Sequence, residues 1–398
     1  MSPISRTTRA ALGASVVALT MVVATACGPD NDPAGAQTAA PTAAVTSTDK
    51  PGAAPIKLPS LDELKKWKFE DWEKFAQQNV ITPAVKGYWD LQKILKAKPS
   101  KPGPGNRPPA QPTAQPTGSA PAQPTAQPPA DNGNDPLPKL VEMKPLPHPF
   151  ARNLHVNGKL FFQDGNQEYV CSGTVVSDPA NPGRSNLVWT ASHCLHGGKG
   201  GKSHTNIVFA PAFNSSGALS GGKQASLAQA EPYGEWGAVA GIISPTWAGE
   251  ADAEYGGAWS QYDFGIIKVA NPDGSNKSLE EVVGGSVPVW FNAPRDQITA
   301  VSSYGYPAGK PFDGMELDRC EAGKPVRHTI DPSRPAMLTI GCNGTGGDSG
   351  GGWFAMKDGK QVLVSDTSIG GDDNTWEAGP YLDDVAQHAL EYISKKAK

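Results

Sequence analysis

The chain has 398 residues, of which 45 are glycine and 38 are proline, about a fifth of the total and close to the range of low-complexity sequence. Lys and Arg number 35 against 39 Asp and Glu, a net charge of −4 without a long block of one sign. Electrostatic binding of nucleic acid needs clustered positive charge, so composition excludes that class of protein. Apolar residues make up 38% of the chain, which is enough for one packed core but not for a core that uses every segment.

The N-terminus has the pattern of an export signal. Arg6 and Arg9 precede an uncharged apolar run over residues 10–26, shorter than the roughly 20 residues that span a bilayer. We therefore expect a signal peptide over residues 1–26. The small residues before Cys27 resemble the lipobox of bacterial lipoproteins, and Cys27 is the expected lipidation site and membrane anchor. The alternative is an ordinary signal peptide that leaves Cys27 free.

Two stretches after the signal lack the apolar residues of a core. Residues 27–58 are rich in Ala, Pro, Thr and Asp and are predicted to be a disordered tether. Residues 99–144 are proline-rich and repeat the unit Ala-Gln-Pro-Thr, which is typical of an extended linker.

Between them, residues 59–98 carry aromatic residues at helical spacing. Ser60 and Glu63 form a candidate capping box for a first helix, and Thr82-Pro83 predicts the start of a second helix. We expect a helical hairpin that packs on another part of the chain. A docked surface element and a pro-segment or partner-docking module are both open interpretations.

Residues 145–398 form the only stretch long enough for a full domain. Short β-branched and aromatic runs alternate with Gly-, Pro- and Asn-rich turns, the spacing of an all-β sandwich or barrel. A closing helix is expected over Leu382–Lys396. The predicted strands are Tyr169–Ser177, Asn186–Ala191, Ile207–Phe213, Ala238–Ser244, Asp263–Val269, Val287–Phe291, Ile298–Tyr304, Met337–Ile340 and Val362–Val364.

The cysteines favour an oxidising compartment. Apart from Cys27 there are four, an even number that predicts two disulfides in an exported protein. Three pairings are available. We favour Cys171–Cys194 and Cys320–Cys342 because each closes a short loop, worth about 3 kcal/mol in the loop-entropy model.

A serine within a glycine cluster is a candidate nucleophile. Ser349 lies in the run Gly346–Gly351, where glycines allow a tight loop to aim several N–H groups at one point, as acyl transfer requires. A surface turn has the same composition. A serine hydroxyl also needs a base, and His193 follows an apolar run and adjoins Cys194.

The base in turn needs an orienting acid. Asp263 stands at the start of an apolar strand, where a carboxylate is costly to bury unless it is paired. Each candidate has a plainer interpretation: His193 as a loop histidine and Asp263 as a strand-capping residue. A zinc site of His193, Cys194, His196 and Cys171 is a third, weaker hypothesis because the spacing is unusual.

Taken together, three segments resemble the trypsin-like (chymotrypsin-fold) serine peptidases of bacterial secreted type. They are Thr190–Cys194, Asp263–Ile266 and Gly347–Gly351, in the order His, Asp, Ser. The resemblance implies two packed six-stranded Greek-key β-barrels with a C-terminal helix, preceded by the small helical segment. It also implies general base, orienting acid and nucleophile roles for His193, Asp263 and Ser349, and an oxyanion hole formed by the N–H groups of Gly347 and Ser349.

The same resemblance implies where substrate specificity is set. The expected pocket lies between Asn343, Gly344, Thr345 and Gly346 before the serine, and Ser368, Ile369 and Gly370 on a later strand. Peptidases that cut after Arg or Lys carry a carboxylate where this chain has Asn343. We therefore expect an uncharged, small to medium apolar residue before the cleaved bond. The competing hypothesis is that Asp372 or Asp373 folds back to bind a basic side chain.

The sequence thus predicts an exported, envelope-tethered serine endopeptidase on the outer face of a bacterial membrane or in the cell wall. A polypeptide is the expected substrate, and no cofactor, metal or nucleic acid is expected. A monomer is expected. The alternative is a non-catalytic binding module that keeps the same fold.

Overall fold

The computed structural model describes residues 59–100, 133–252 and 256–396. The signal segment, Cys27 and the tether lie outside these ranges. In the described ranges, the strands are β1 Lys98–Pro99, β2 Lys144–Pro145, β3 Asn157–Asp164, β4 Gln167–Val176, β5 Leu187–Thr190, β6 Thr205–Pro211, β7 Trp236–Ile243, β8 Gly265–Ala270, β9 Val301–Gly305, β10 Asp318–Ala322, β11 Val326–His328, β12 Met337–Ile340, β13 Gly352–Lys357, β14 Lys360–Asp366, β15 Ile369–Gly370 and β16 Glu377–Gly379. The helices are α1 Leu61–Leu64, α2 Phe69–Gln78, α3 Leu91–Lys96, α4 Leu227–Ala230, α5 Pro245–Glu250, α6 Leu279–Val283 and α7 Asp384–Lys395.

Six antiparallel strands close into a first barrel. Their order is β4-β3-β6-β7-β8-β5, and β5 pairs again with β4 to complete the ring. The strands are rich in β-branched and aromatic residues, which fit a pleated surface that is buried on one side. Leu160, Val175, Val188, Phe209 and Ile266 are fully buried in the core of this barrel.

The second barrel is built from two sheets. One has the order β14-β13-β9-β10-β2 and the other β11-β12-β16-β15. The predicted strand Val287–Phe291 is wrong: Val287 bridges to Val176 of the first barrel, whereas Val289 bridges to Leu363 of the second. The segment crosses from one barrel to the other, so no single strand pairs along its length.

The N-terminal segment forms three short helices instead of the predicted hairpin. The Ser60–Glu63 capping box is present at the start of α1, but no helix begins at Thr82-Pro83. The backbone N–H of Ala84 donates to Ala238 O (3.3 Å) and the N–H of Val85 donates to Asn206 Oδ1 (3.1 Å). Hydrogen bonds to the barrel therefore replace those that a helix would make.

The predicted linker ends earlier than residue 144. Val141 N–H donates to Gly341 O (2.6 Å), and β2 pairs with β10. Asp135 accepts from the guanidinium of Arg327 at 2.7 Å, a charge-assisted pair. Residues 133–144 therefore pack on the second barrel, whereas residues 101–132 lie outside the described ranges.

Both predicted disulfides are present, and so is the closing helix. Cys171–Cys194 joins β4 to the turn after β5, and Cys320–Cys342 joins β10 to the segment that follows β12. Helix α7 begins after Asp383, whose carboxylate accepts from Val385 N–H (2.9 Å). Within the described ranges, no helix has the length and apolar character needed to cross a bilayer.

Candidate functional site

His193 lies on a single 3-10 turn, Ser192–Cys194, directly after β5. The disulfide from Cys194 to Cys171 fixes this turn against β4. The imidazole is buried, and its Nδ1 lies 2.7 Å from Asp263 Oδ2. A turn held at both ends therefore sets the position of the ring.

Asp263 lies between a short 3-10 helix, Ala258–Tyr262, and strand β8. Its carboxylate is fully buried, and three groups donate to it. Oδ1 accepts from His193 N–H (2.9 Å), whereas Oδ2 lies beside His193 Nδ1 and accepts from Ser368 Oγ (2.6 Å). Because a buried carboxylate is stable only when it is paired and hydrogen-bonded, these contacts explain why an acid is tolerated at this position.

Ser349 lies in the turn that leads into β13. Gly347 has φ +100° and Gly350 has φ +76°, conformations that favour glycine. Two contacts tie the turn to β4: Ser172 N–H donates to Ser349 O (2.8 Å), and Ser172 Oγ donates to Gly347 O (2.9 Å). The glycine cluster is therefore a tight loop that presents Ser349 at the interface between the barrels.

His193 and Asp263 are directly paired, but Ser349 Oγ and His193 Nε2 are not hydrogen-bonded to each other. Ser349 Oγ donates to the carbonyl of Ser100 (3.1 Å). The same carbonyl accepts from the N–H of Gly347 (3.1 Å). His193 Nε2 is buried and, within the described ranges, has no hydrogen-bond partner.

The cleft lies between two β-barrels, and this arrangement identifies the fold. His193 and Asp263 come from the first barrel, whereas Ser349 and Ser368 come from the second, and the four meet where the barrels join. The chain has the chymotrypsin-like two-barrel fold.

Several solved structures resemble the chain, and they are chymotrypsin-fold serine proteases. The thermostable serine protease AL20 from an extremophilic microorganism is 31% identical, with 62% of this chain and 100% of AL20 covered and a TM-score of 0.49. The protease Anisep from Arthrobacter nicotinovorans is 33% identical, with 61% and 97% covered and a TM-score of 0.48. A Glu endopeptidase is 15% identical, with 65% and 99% covered and a TM-score of 0.46. No family model and no curated protein matches the chain.

A pocket opens beside Ser349, and most of the predicted residues line it. Asn343 does not: its Oδ1 accepts from Met143 N–H (2.7 Å), which turns the side chain toward the segment before β2. Asp373 also stays outside, where it caps a local turn by accepting from Thr375 Oγ1 (2.8 Å). The pocket is lined by Gly344, Thr345, Gly346, Ser349, Thr367, Ser368, Ile369, Gly370, Gly371, Asp372, Asn374 and Glu377.

Glu377 is an acidic lining residue that the sequence analysis did not predict. It lies on β16, is 2% exposed, and hydrogen-bonds to the fully buried Asp348. Burial and the nearby Asp348 raise the pKa of Glu377 well above its usual value. Burial likewise raises the pKa of Asp348 to about 6. Glu377 stands between Trp376 and Ala378, on a strand whose other residues are small. An acid among apolar and small residues is the sequence pattern that could have indicated a functional side chain here.

The zinc hypothesis fails on the chemistry of its ligands. Cys171 and Cys194 are bonded to each other, so neither offers the thiolate that zinc prefers. His196 Nδ1 accepts from Gly198 N–H (3.1 Å). The proposed ligands therefore have other partners.

Proposed function

We propose that the chain is an exported serine endopeptidase in which Ser349, His193 and Asp263 act as a catalytic triad. The observation that carries the proposal is the contact of His193 Nδ1 with the buried carboxylate of Asp263. Nε2 has no hydrogen-bond partner among the described residues. His193 lines a cleft together with Ser100, whose carbonyl accepts from Ser349 Oγ (3.1 Å). A base oriented in this way, next to a serine in a tight loop, matches the requirements of acyl transfer.

In the proposed first step, Ser349 Oγ attacks the peptide carbonyl and His193 Nε2 takes the hydroxyl proton. Asp263 holds the tautomer with the proton on Nδ1 and stabilises the imidazolium that forms. The N–H groups of Gly347 and Ser349 are proposed to bind the oxyanion. Collapse of the intermediate releases the amine, which receives the proton from His193, and leaves an acyl group on Ser349. Water then releases the acyl group with His193 again as the base.

The two disulfides support export, because disulfides persist in oxidising compartments. We further propose that lipid on Cys27 tethers the protein to the outer face of the membrane. Stable anchoring needs more than one acyl chain. A Cys27→Ala variant should therefore move from the membrane fraction to the medium, and wild-type protein found wholly in the medium would contradict the tether.

Covalent labelling with a fluorophosphonate tests the catalytic proposal. We expect one adduct, on the peptide that contains Ser349, and none in Ser349→Ala. Ser333→Ala is a matched control, since Ser333 lies in an exposed turn held by Asp331. A folded chain that takes no label would instead favour the non-catalytic binding module.

A further inference from the structure

The lining of the pocket beside Ser349 contains a buried acidic group. Glu377 lines the pocket together with Gly344 from the opposite segment. A Cβ on Gly344 would lie 1.7 Å from Glu377 Oε1. Only glycine at this position leaves room for the carboxyl group, so the two residues fit each other.

The carboxyl group of Glu377 is incompletely satisfied. Its Oε2 is buried and, within the described ranges, has no hydrogen-bond partner. The neighbouring Asp348 is fully buried, and its Oδ1 likewise has no partner in the described structure. Buried polar atoms in folded proteins are nearly always hydrogen-bonded, and Glu377 lines the pocket, so a carboxyl oxygen without a partner at this position indicates a place for a ligand group.

The charge around this group favours a cation. Asp372 also lines the pocket, and the residues that line it include no lysine or arginine. Two adjacent buried acids without a cation hold a proton more tightly than isolated acids do. An ammonium or guanidinium group that enters the pocket can replace that proton, which leaves to solvent, and can donate hydrogen bonds to Oε2.

We propose that Glu377 is the specificity-determining residue and that the pocket binds the lysine or arginine side chain preceding the cleaved bond. This inference rests on the proposed peptidase function and reverses the expectation of an uncharged residue. That expectation depended on Asn343, whose side chain turns away from the pocket. The acid instead comes from β16, a strand that lies later in the chain.

The test separates binding in the pocket from catalysis. Benzamidinium, a small planar cation, is titrated into full-length Ser349→Ala by calorimetry. We expect binding, and a loss of at least about a hundredfold in affinity when Glu377→Gln is added, since this removes one partner of a buried charge pair. Asp373→Asn is the matched control, because it removes an acid outside the pocket lining and should leave affinity unchanged.

Cleavage of peptides that differ only before the scissile bond gives the second readout. Arg and Lys peptides should be preferred by the wild-type chain, and Glu377→Gln should lose that preference while fluorophosphonate labelling persists. Equal benzamidinium binding by Glu377→Gln, or wild-type preference for Leu or Ala, would overturn the assignment. Benzamidinium binding without any labelling would instead contradict the peptidase function and leave the pocket assignment standing.

A separate observation concerns the segment that enters the cleft. Strand β1 pairs in parallel with β4 at Tyr169 and Val170, and Ser100 N–H donates to Val170 O (3.0 Å). The Ser100 carbonyl then accepts from both Gly347 N–H and Ser349 Oγ. One of the two proposed oxyanion donors and the proposed nucleophile are therefore both engaged by this carbonyl.

The segment that precedes β1 anchors it to the first barrel and to α7. Trp89 is buried and its Nε1 donates to Asn206 O (2.8 Å), while Tyr88 OH donates to Glu168 (3.1 Å). At the other end of the segment, Tyr392 OH donates to Glu73 (2.6 Å). Burial of large aromatic side chains is among the strongest contributions to such docking.

The segment does not occupy the cleft in the manner expected of a substrate. Pro99 and Ser100 line the cleft beside His193 and Trp247, whereas no residue of 59–100 lines the pocket that contains Glu377. Ser100 thus occupies one proposed oxyanion donor, the N–H of Gly347, without filling the pocket that would position a bond for cleavage.

We infer that residues 59–100 are a built-in inhibitor, so that only the fraction of molecules from which Ser100 has left the cleft reacts at Ser349 and the wild-type chain reacts slowly. This inference also rests on the proposed function. In Trp89→Ala the anchor is weakened, and the rate of fluorophosphonate labelling should rise at least about tenfold as the open population grows. Val80→Ala is the matched control, since Val80 is 56% exposed on the same segment.

Hydrogen exchange reports independently whether the segment has left. If exchange of residues 84–100 speeds up in Trp89→Ala while the labelling rate stays the same, the inhibitor role is overturned. If residues 84–100 stay protected in Trp89→Ala, the second variant is Ser100→Pro, which removes the N–H bonded to Val170. Faster exchange of this segment without faster labelling would again overturn the inhibitor role. Absence of labelling in every variant would contradict the peptidase function. Faster exchange of residues 344–352 when the segment leaves would then still support the contact of Ser100 with Gly347 and Ser349.

Discussion

The acidic residues that the two barrels contribute to the cleft differ in how fully they are hydrogen-bonded. The first barrel supplies His193 and Asp263, and every oxygen of the Asp263 carboxylate accepts a hydrogen bond. The second barrel supplies the pocket, where Asp348 and Glu377 each retain a buried oxygen without a partner in the described structure. Under the proposed function, the acid that orients His193 is fully hydrogen-bonded before a ligand binds, whereas the pocket acids would gain their remaining hydrogen bonds from the ligand.

Removal of the nucleophile should have the largest effect. Ser349→Ala is expected to lower kcat by about a millionfold, and His193→Ala by nearly as much, because triad members act as a unit. The double variant should be no worse than either single one. Steady-state hydrolysis of a peptide ester measures this, and additive losses would contradict a shared catalytic role.

Substitution of Asp263 tests whether its fully hydrogen-bonded carboxylate orients His193. Asp263→Asn preserves the shape but favours the wrong tautomer of His193, so kcat should fall about ten-thousandfold. Ser368→Ala removes one donor to the same carboxylate and should cost far less, on the order of tenfold. Equal losses in the two variants would show that Ser368, from the second barrel, carries as much of the orientation as Asp263.

The disulfides should separate stability from catalysis. Replacing Cys171 and Cys194 by serine opens a loop of 23 residues and should lower the free energy of unfolding by about 3 kcal/mol. This pair adjoins His193, so kcat should fall as well. The matched change at Cys320 and Cys342, with a separation of 22, should cost similar stability and less activity. Denaturant unfolding measures the free energy of unfolding, and steady-state kinetics measures kcat.

The smallest expected effect is on the pH dependence of stability. The pKa of Asp348 is raised to about 6 by burial, and that of Glu377 is raised well above its usual value by burial and by the nearby Asp348. Between about pH 4 and these values the folded chain holds protons that the unfolded chain has lost, so the free energy of unfolding falls as pH rises. Glu377→Gln keeps a donor toward Asp348 but does not titrate, so the fall should be shallower. Unfolding midpoints between pH 4 and 7 measure the slope, and an unchanged slope would contradict the raised pKa of Glu377.

The sequence predicted the first barrel better than the pocket. Alternating strands and the His, Asp and Ser segments are local signals, and the structure places their side chains together at the junction of the barrels. Glu377 carries only a weak local signal, an acid among apolar and small residues, and Ser100 carries none, because their roles arise from residues distant in sequence. Asn343 was assigned to the pocket by its spacing from Ser349, but a hydrogen bond to Met143 turns it away. The helix expected after Thr82 failed because Ala84 and Val85 bond to the barrel instead of to their own chain.

The most direct test of Ser349 as the nucleophile is capture of the acyl-enzyme. With an activated acetyl ester, the Trp89→Ala chain, in which the inhibiting segment is weakened, should release a burst of alcohol that approaches the enzyme present, since acylation precedes slow deacylation. Peptide mapping after acid quench should find the acetyl group on Ser349, and His193→Ala should show no burst on the same timescale. A burst with the acetyl group on any other residue, or turnover that survives in Ser349→Ala, would contradict the central claim that Ser349 is the nucleophile.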